Sequence, residues 1–256
     1  VEGQLFDTMI AAHLLDPDRR SYKMDFLSVD YLDYEMVPIE RLIGPKGKNQ
    51  KLMSDVELKS ISYYACEDSD VALQLYDIFS KELKKQKLDK IFYGIEIPTM
   101  KVLIDMEYEG INIDLSLFQN LSDKIGKDIE SVSEKIFSYT DTKFNINSPK
   151  QLSEILFDDL GLKPIKKRST AVEVLEVLKQ YHPLPKVILE YRHLAKLKST
   201  YVDAFPHYIN KNTKRIHTSL NQTITSTGRL SSTKPNLQNI PIRTSTGRRL
   251  RKAFIA

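Results

Sequence analysis

Thr225-Ser226-Thr227-Gly228-Arg229-Leu230-Ser231-Ser232, followed by Pro235-Asn236-Leu237-Gln238-Asn239-Ile240-Pro241-Ile242-Arg243, is a polar, basic stretch with no acid in it. Turn residues and short β-favouring runs alternate here, whereas apolar residues recur at helical spacing through most of the chain upstream. The stretch therefore marks a change from a helical body to strands and turns. Its charge belongs to a wider asymmetry. Residues 186–256 carry 14 Lys+Arg against Glu190 and Asp203 alone, a net of +12, while residues 1–185 carry 24 against 32 acids, a net of −8. The overall +4 conceals two halves of opposite sign, and such a division points to a polyanionic partner at the basic end, nucleic acid first.

Charge alone is equally the mark of a solvated basic face. The neutral residues among the cations shift the balance: Thr218, Ser219, Thr225, Thr227, Ser231, Ser232, Asn236, Gln238 and Asn239 are short amide and hydroxyl donors suited to phosphates, sugars and base edges. A surface built only for solubility more often pairs Lys with Glu.

A chain of 256 residues has room for one or two domains with real cores. Cys66 is the one cysteine, which excludes an intrachain disulfide and a multi-cysteine zinc site. Charge interrupts every apolar run, so neither a signal peptide nor a spanning helix is expected, and no membrane partner. The chain starts at Val1 and stops at Ala256 after an apolar run, and both ends read as cut.

The spacing predicts a short helix after Asp7, ended by Pro17, and two abutting helices from Asp55 to Lys87, where apolar residues recur at helical period. A further helix is expected from about Ile91 to Gly110, broken or kinked at Pro98, then an extended Ile111-Asn112-Ile113-Asp114 and a long helix from Leu115 to Tyr139. Helices over 148–161, 169–181 and from Pro185 to about Phe205 follow, and strands are expected at Arg215–Ser219, Gly228–Ser232 and Arg249–Ala256. The fold class is α+β, predominantly helical.

The opening stretch, with Gly247-Arg248-Arg249-Leu250-Arg251-Lys252-Ala253-Phe254-Ile255-Ala256 after it, resembles the entry to the palm of family A DNA polymerases, the DNA polymerase I type. The resemblance continues upstream through Pro183 to Arg192 and Leu194 to Tyr201, and Tyr64-Ala65-Cys66-Glu67-Asp68-Ser69-Asp70-Val71-Ala72-Leu73 is similar to the last motif of that family's proofreading exonuclease. It implies that residues 1–85 are the C-terminal part of an RNase H-like 3′–5′ exonuclease domain, 86–205 a helical thumb and 206–256 a β-rich start of the palm. The implied parent is a DNA-directed DNA polymerase of DNA replication and repair, cytoplasmic, bacterial-type and nucleoid-associated, with primer-template DNA, deoxynucleoside triphosphates and Mg²⁺ as partners. Against the family pattern the basic tip from Lys163 to Thr170 is several residues short, which reads either as a true shortening or as a mobile loop missing from the sequence as given.

Arg192 and Lys196 lie one helical turn apart and can present two cations to successive phosphates, with Lys198, Ser199 and Thr200 adding donors. The resemblance makes them the thumb helix that holds the primer backbone; the bland alternative is a solvated helix face. A guanidinium in the minor groove meets the acceptors common to all correctly paired steps, so it tests pair shape without reading sequence. By resemblance Arg229 has that role at the primer end, Asn236, Gln238 and Asn239 line the same duplex, and Arg243 is nucleotide-binding. The alternative for Arg229 is a surface strand residue beside a turn.

Tyr64 and Asp68 are also one turn apart, and a nuclease can use Asp to hold a divalent metal and Tyr to orient water. By resemblance both are catalytic in the parent's exonuclease and Asp68 is a metal ligand. One Asp cannot hold two ions. The family's other exonuclease carboxylates lie upstream of Val1 and its polymerase carboxylates beyond Ala256, so the fragment is expected to be inactive in both reactions and to bind no metal tightly. Asp7 reads as a helix cap, Glu67 and Asp70 as solvated helix acids. Apolar surface at the cut ends is expected to favour self-association. Two other classes stay open: an RNase D-like 3′–5′ exonuclease, and a non-catalytic DNA-binding module.

Overall fold

A computed structural model describes residues 3–242 and 244–255, so Arg243 lies outside the described residues. Along the chain these form α1 (Thr8–Leu15), α2 (Met24–Leu32), α3 (Glu40–Ile43), α4 (Leu58–Lys85), α5 (Asp89–Ile91), α6 (Ile97–Glu109), β1 (Asn112–Ile113), α7 (Leu115–Phe137), α8 (Pro149–Glu154), α9 (Val172–Leu178), α10 (Leu184–Leu197), β2 (Ser219–Asn221), β3 (Ser231–Thr233), α11 (Ser245–Arg251) and β4 (Phe254–Ile255). Helix dominates, with two small antiparallel ladders, β1 with β4 and β2 with β3. This is the expected helix-rich α+β class. The chain packs as two units, one of residues up to Glu109 together with Thr218–Thr233, the other of Gly110–His217 together with the residues from Lys234 onward.

In the first unit the Asp7 carboxylate accepts the Ile10 N–H at 2.9 Å and starts α1. α4 is a single helix of 28 residues, not the two abutting helices expected. No Gly or Pro interrupts it, and Val71, Leu75, Phe79 and Leu83 run as one stripe into the core formed with Ile10, Ala11, Ala12 and Leu27. Helical spacing persists wherever nothing removes a backbone donor. The break expected at Pro98 is instead a π turn over Phe92–Glu96 directly before α6, which shifts the hydrogen-bond register ahead of the proline.

In the second unit the Asp114 carboxylate accepts the Leu117 N–H at 3.0 Å and caps α7. The stripe of α7 serves two clusters. Phe118, Leu121 and Ile125 pack with Leu197, Tyr201, Val202, Phe205 and Leu250, whereas Val132 and Ile136 pack with Leu152, Leu156, Leu175, Leu178, Leu184 and Ile188. α8 begins at Ser148-Pro149, continues as a π turn over Ile155–Asp159, and is closed at Gly161 with φ of 61°. α10 likewise passes into a π turn at Lys198–Val202.

Strand expectations at the C-terminal end need correction. Arg249 to Arg251 belong to α11, because the Thr244 hydroxyl accepts the Gly247 N–H at 3.0 Å and starts a helix; among the described residues of that segment only Phe254–Ile255 is strand, and Ala256 lies outside them. The stretches Arg215–Ser219 and Gly228–Ser232 form strand only from Ser219 and from Ser231, apart from single bridges that Ile216 makes to Ile111 and Ile209.

Gly110 ends α6 at φ of 67°, where a Cβ would stand 2.8 Å from His217 Nδ1 and 2.9 Å from the Ile216 carbonyl. Gly161 has φ of 61° but nothing within 4 Å. Gly110→Ala should therefore lose about 2–3 kcal/mol, backbone strain plus overlap, and Gly161→Ala only about 1 kcal/mol. Urea unfolding of the chain checks this, as a larger fall in midpoint for Gly110→Ala at unchanged slope.

Candidate functional site

Tyr64 and Asp68 lie half-buried on α4. Burial raises the Asp68 carboxyl above its ordinary range, and the negative charges of Glu67 and Asp25 raise it further. The Tyr64 phenol is raised too, by burial first and then by Asp68 and Asp25. The pair thus sits in a negative field that a cation would relieve. Asp25 on α2 was not singled out from sequence, since it becomes a neighbour of α4 only on folding.

Glu67 requires correction. It is not a solvated helix acid but 8% exposed. Its Oε1 accepts the Tyr34 hydroxyl at 2.6 Å and its Oε2 accepts the Val37 N–H at 2.9 Å, so it fastens the segment after α2 to α4. Asp70 is exposed and accepts from the Gln74 amide at 2.7 Å. Among the described residues no group of three or more His, Cys, Asp or Glu gathers as a metal site, and no helix is long and apolar enough to cross a membrane.

In the second unit, the cations expected to meet phosphate divide. Lys196, Ser199 and Thr200 are exposed. Arg192 is half-buried and donates to the Thr170 carbonyl at 2.5 Å and to its hydroxyl at 3.4 Å, tying α10 to the turn before α9; burial lowers its pKa. Lys198 donates to Asp203 at 2.8 Å and to the Ser122 hydroxyl at 2.7 Å. Burial pulls the Asp203 carboxyl upward, but the bonds from Lys198 and Ser122 outweigh it and hold the group below the ordinary range.

The same unit exposes Asn236, Gln238 and Asn239 in a turn where Asn236 Oδ1 accepts the Gln238 N–H at 3.0 Å and the Asn239 N–H at 3.2 Å. The Tyr201 hydroxyl donates to the Asn239 carbonyl at 2.6 Å and holds that turn to the core.

Arg229 is exposed, on the loop between β2 and β3 in the first unit. That loop is fastened by residues sequence reading passed over. Glu107 accepts the Leu220 N–H. Glu96 accepts the Gln222 amide at its carboxylate, 2.6 Å, and at its carbonyl, 3.1 Å. His13 Nε2 lies 3.1 Å from the Thr225 carbonyl. No local pattern announces such pairings, because their partners lie more than a hundred residues apart along the chain.

A sequence model of DNA polymerase family A matches residues 115–256, more than half of the chain. The chain belongs to DNA polymerase family A. A 3′–5′ exonuclease model matches residues 2–84. Among curated relatives, DNA polymerase I of Borreliella burgdorferi is 43% identical over 252 residues, covering 97% of this chain and 27% of that protein. DNA polymerase I of Pseudomonas aeruginosa is 40% identical over 263 residues, covering all of this chain and 29% of that protein. The family A chain thus spans little more than a quarter of the length of these relatives. A solved structure, the POL domain of Pol1 from M. smegmatis in complex with DNA primer-template and dNTP, is similar with a TM-score of 0.80 at 35% identity, covering 97% of this chain and 41% of that one.

The Tyr34 phenol, hydrogen-bonded to the Glu67 carboxylate, is pushed up to about 12 from 10.0. A raised folded-state pKa means that the bond's stabilisation is complete below the unfolded value of about 10 and disappears as pH rises through about 12. Tyr34→Phe should accordingly lower the melting temperature at pH 8 and flatten its decline between pH 10 and 12. Melting curves across that range read both effects.

Proposed function

We propose that this chain is the primer-template grip of a DNA-directed DNA polymerase serving replication and repair, joined to the last part of a 3′–5′ exonuclease unit. The observation that carries the reading is Arg229, an exposed guanidinium on a fastened loop, inside the segment that matches the polymerase family. Its planar fork reaches minor-groove acceptors at the primer end, where pair shape rather than sequence is tested. Lys196, Ser199 and Thr200 contact the primer phosphates, and Asn236, Gln238 and Asn239 line the duplex. Arg192 adds a phosphate contact with the edge of the guanidinium left over from Thr170, and Lys198 acts through its Asp203 pair. Arg243, outside the described residues, meets the deoxynucleoside triphosphate.

In functional terms, residues 1–85 are the exonuclease part, 86–205 the thumb and 206–256 the start of the palm. Tyr64 and Asp68 act in 3′–5′ trimming. Mg²⁺ is the metal this chemistry calls for, with Asp68 a ligand whose charge a cation would relieve. One ligand carboxylate does not make a two-ion site, and among the described residues no group of three or more His, Cys, Asp or Glu gathers to hold an ion. The chain by itself neither extends nor trims a primer. The match of residues 115–256 to the polymerase family favours this reading over a stand-alone RNase D-like nuclease.

Lys196→Ala should weaken duplex binding regardless of sequence and lower the salt slope by about one unit without changing the melting temperature. Arg192→Ala should do the same and also lower the melting temperature, because Thr170 loses its partner. Binding titrations in a salt series, beside melting curves, separate the two. In the complete enzyme Arg229→Ala should slow matched primer extension by about a hundredfold and blunt mismatch discrimination while leaving the salt slope nearly unchanged. Arg229→Lys should be almost as harmful, since an ammonium cannot reproduce the fork. Extension by Arg229→Lys at the wild-type rate would end the minor-groove reading.

A further inference from the structure

We infer that His13, on α1 of the exonuclease-like unit, is a positioning residue for Arg229 in primer extension. The inference rests on the reading of Arg229 given above. Between β2 and β3 the chain from Gln222 to Leu230 has no ladder of its own. Beneath it lies a cavity of about 290 Å³, lined by His13, Leu14, Glu96, Gln222, Ser226 and Gly228 among others. Packing therefore does not fill the space under this loop, and hydrogen bonds decide where it stands.

Thr225 is the node of those bonds. Its carbonyl faces His13 Nε2 at 3.1 Å. A carbonyl can only accept, so His13 carries its proton on Nε2. The Thr225 hydroxyl in turn donates to the Arg229 carbonyl at 2.5 Å. Two hydrogen bonds thus connect α1 to the backbone of Arg229. His13 is itself held firmly: it is 8% exposed, and Tyr22 stands edge-on to its ring at 5.2 Å. The Tyr22 hydroxyl is anchored on the Asp16 carbonyl at 2.8 Å, just past the end of α1. Gln222 on Glu96 gives the loop a second, parallel tether, so loss of His13 shifts the loop rather than releasing it.

His13 touches neither duplex nor nucleotide in this scheme. Its effect passes through Thr225 to the place where the guanidinium meets the primer end. A residue of the exonuclease-like unit then tunes how well a paired end is sensed, independently of any trimming.

The test uses the complete polymerase with His13→Phe, which keeps an aromatic ring but has no N–H donor, and His13→Gln, which restores a donor at similar reach. Single-nucleotide extension is measured on matched and mismatched primer ends, with kcat and KM separated, alongside duplex binding in a salt series. Loss of one backbone-directed hydrogen bond should reduce matched kcat about fivefold for His13→Phe, with narrowed mismatch discrimination and unchanged duplex affinity and salt slope. His13→Gln should return to within about twofold of wild type. In an Arg229→Ala background His13→Phe should change extension by less than about twofold, because the group it positions is gone.

Wild-type extension by His13→Phe, equal impairment of His13→Gln, or a full fivefold loss on top of Arg229→Ala would each overturn the positioning role. If Arg229→Ala alone extends at the wild-type rate, the proposed role of Arg229 fails and this inference fails with it. If Arg229→Ala is impaired and His13→Phe is not, only the inference fails.

Discussion

Phe118, Leu121, Ile125, Val132 and Ile136 form one apolar line along α7, and the second unit is built on it. The upper residues close a cluster with Leu197, Tyr201, Phe205 and Leu250; the lower ones close another with Leu152, Leu175, Leu184 and Ile188. Burying five large apolar side chains is worth on the order of 10 kcal/mol before entropy is counted, comparable to the whole stability of a domain. α10 belongs to both clusters, through Leu184 and Ile188 at its start and Leu197 at its end. The direction in which Lys196 presents its charge therefore follows from what α7 buries.

The first unit uses a different device. Glu67, Glu96 and Glu107 each accept hydrogen bonds from a chain segment lacking a complete ladder or helix partner, respectively Tyr34 and Val37, Gln222, and Leu220. A carboxylate suits this task because it accepts several charge-assisted bonds at once. Part of the acid excess in the first half of the chain is thus internal fastening rather than a solvated surface, and it holds the loop on which Arg229 stands.

Charge counting likewise overstates what the basic half offers to a polyanion. Lys198 is neutralised by Asp203, and Arg192 is engaged with Thr170. Exposed donors such as Lys196, Ser199, Thr200 and Arg229 are fewer than the cations the sequence contains. Salt dependence of binding should follow Lys196 and the guanidinium edge that Arg192 leaves free, since cations set on phosphate are what displaces counterions.

Much was legible in the residues themselves. Asp7 reads as a cap ahead of a helical period and its cap forms, and Asp114 and Ser148 cap α7 and α8 in the same local way. The stripe of α7 follows from its spacing, and the family from Thr227-Gly228-Arg229-Leu230-Ser231-Ser232 with its neighbours. These are local signals, set by side chains within a few positions of one another. The run without Gly or Pro through α4 and the Thr244 cap ahead of Arg249 to Arg251 are local signals too, whereas tertiary structure alone decided that Glu67 is buried. It alone brought Asp25 beside Asp68, and His13 beneath Thr225. Each of these depends on groups distant in sequence competing for the same backbone or the same space, and a hydrogen bond between residues 13 and 225 leaves no trace in the period of either segment.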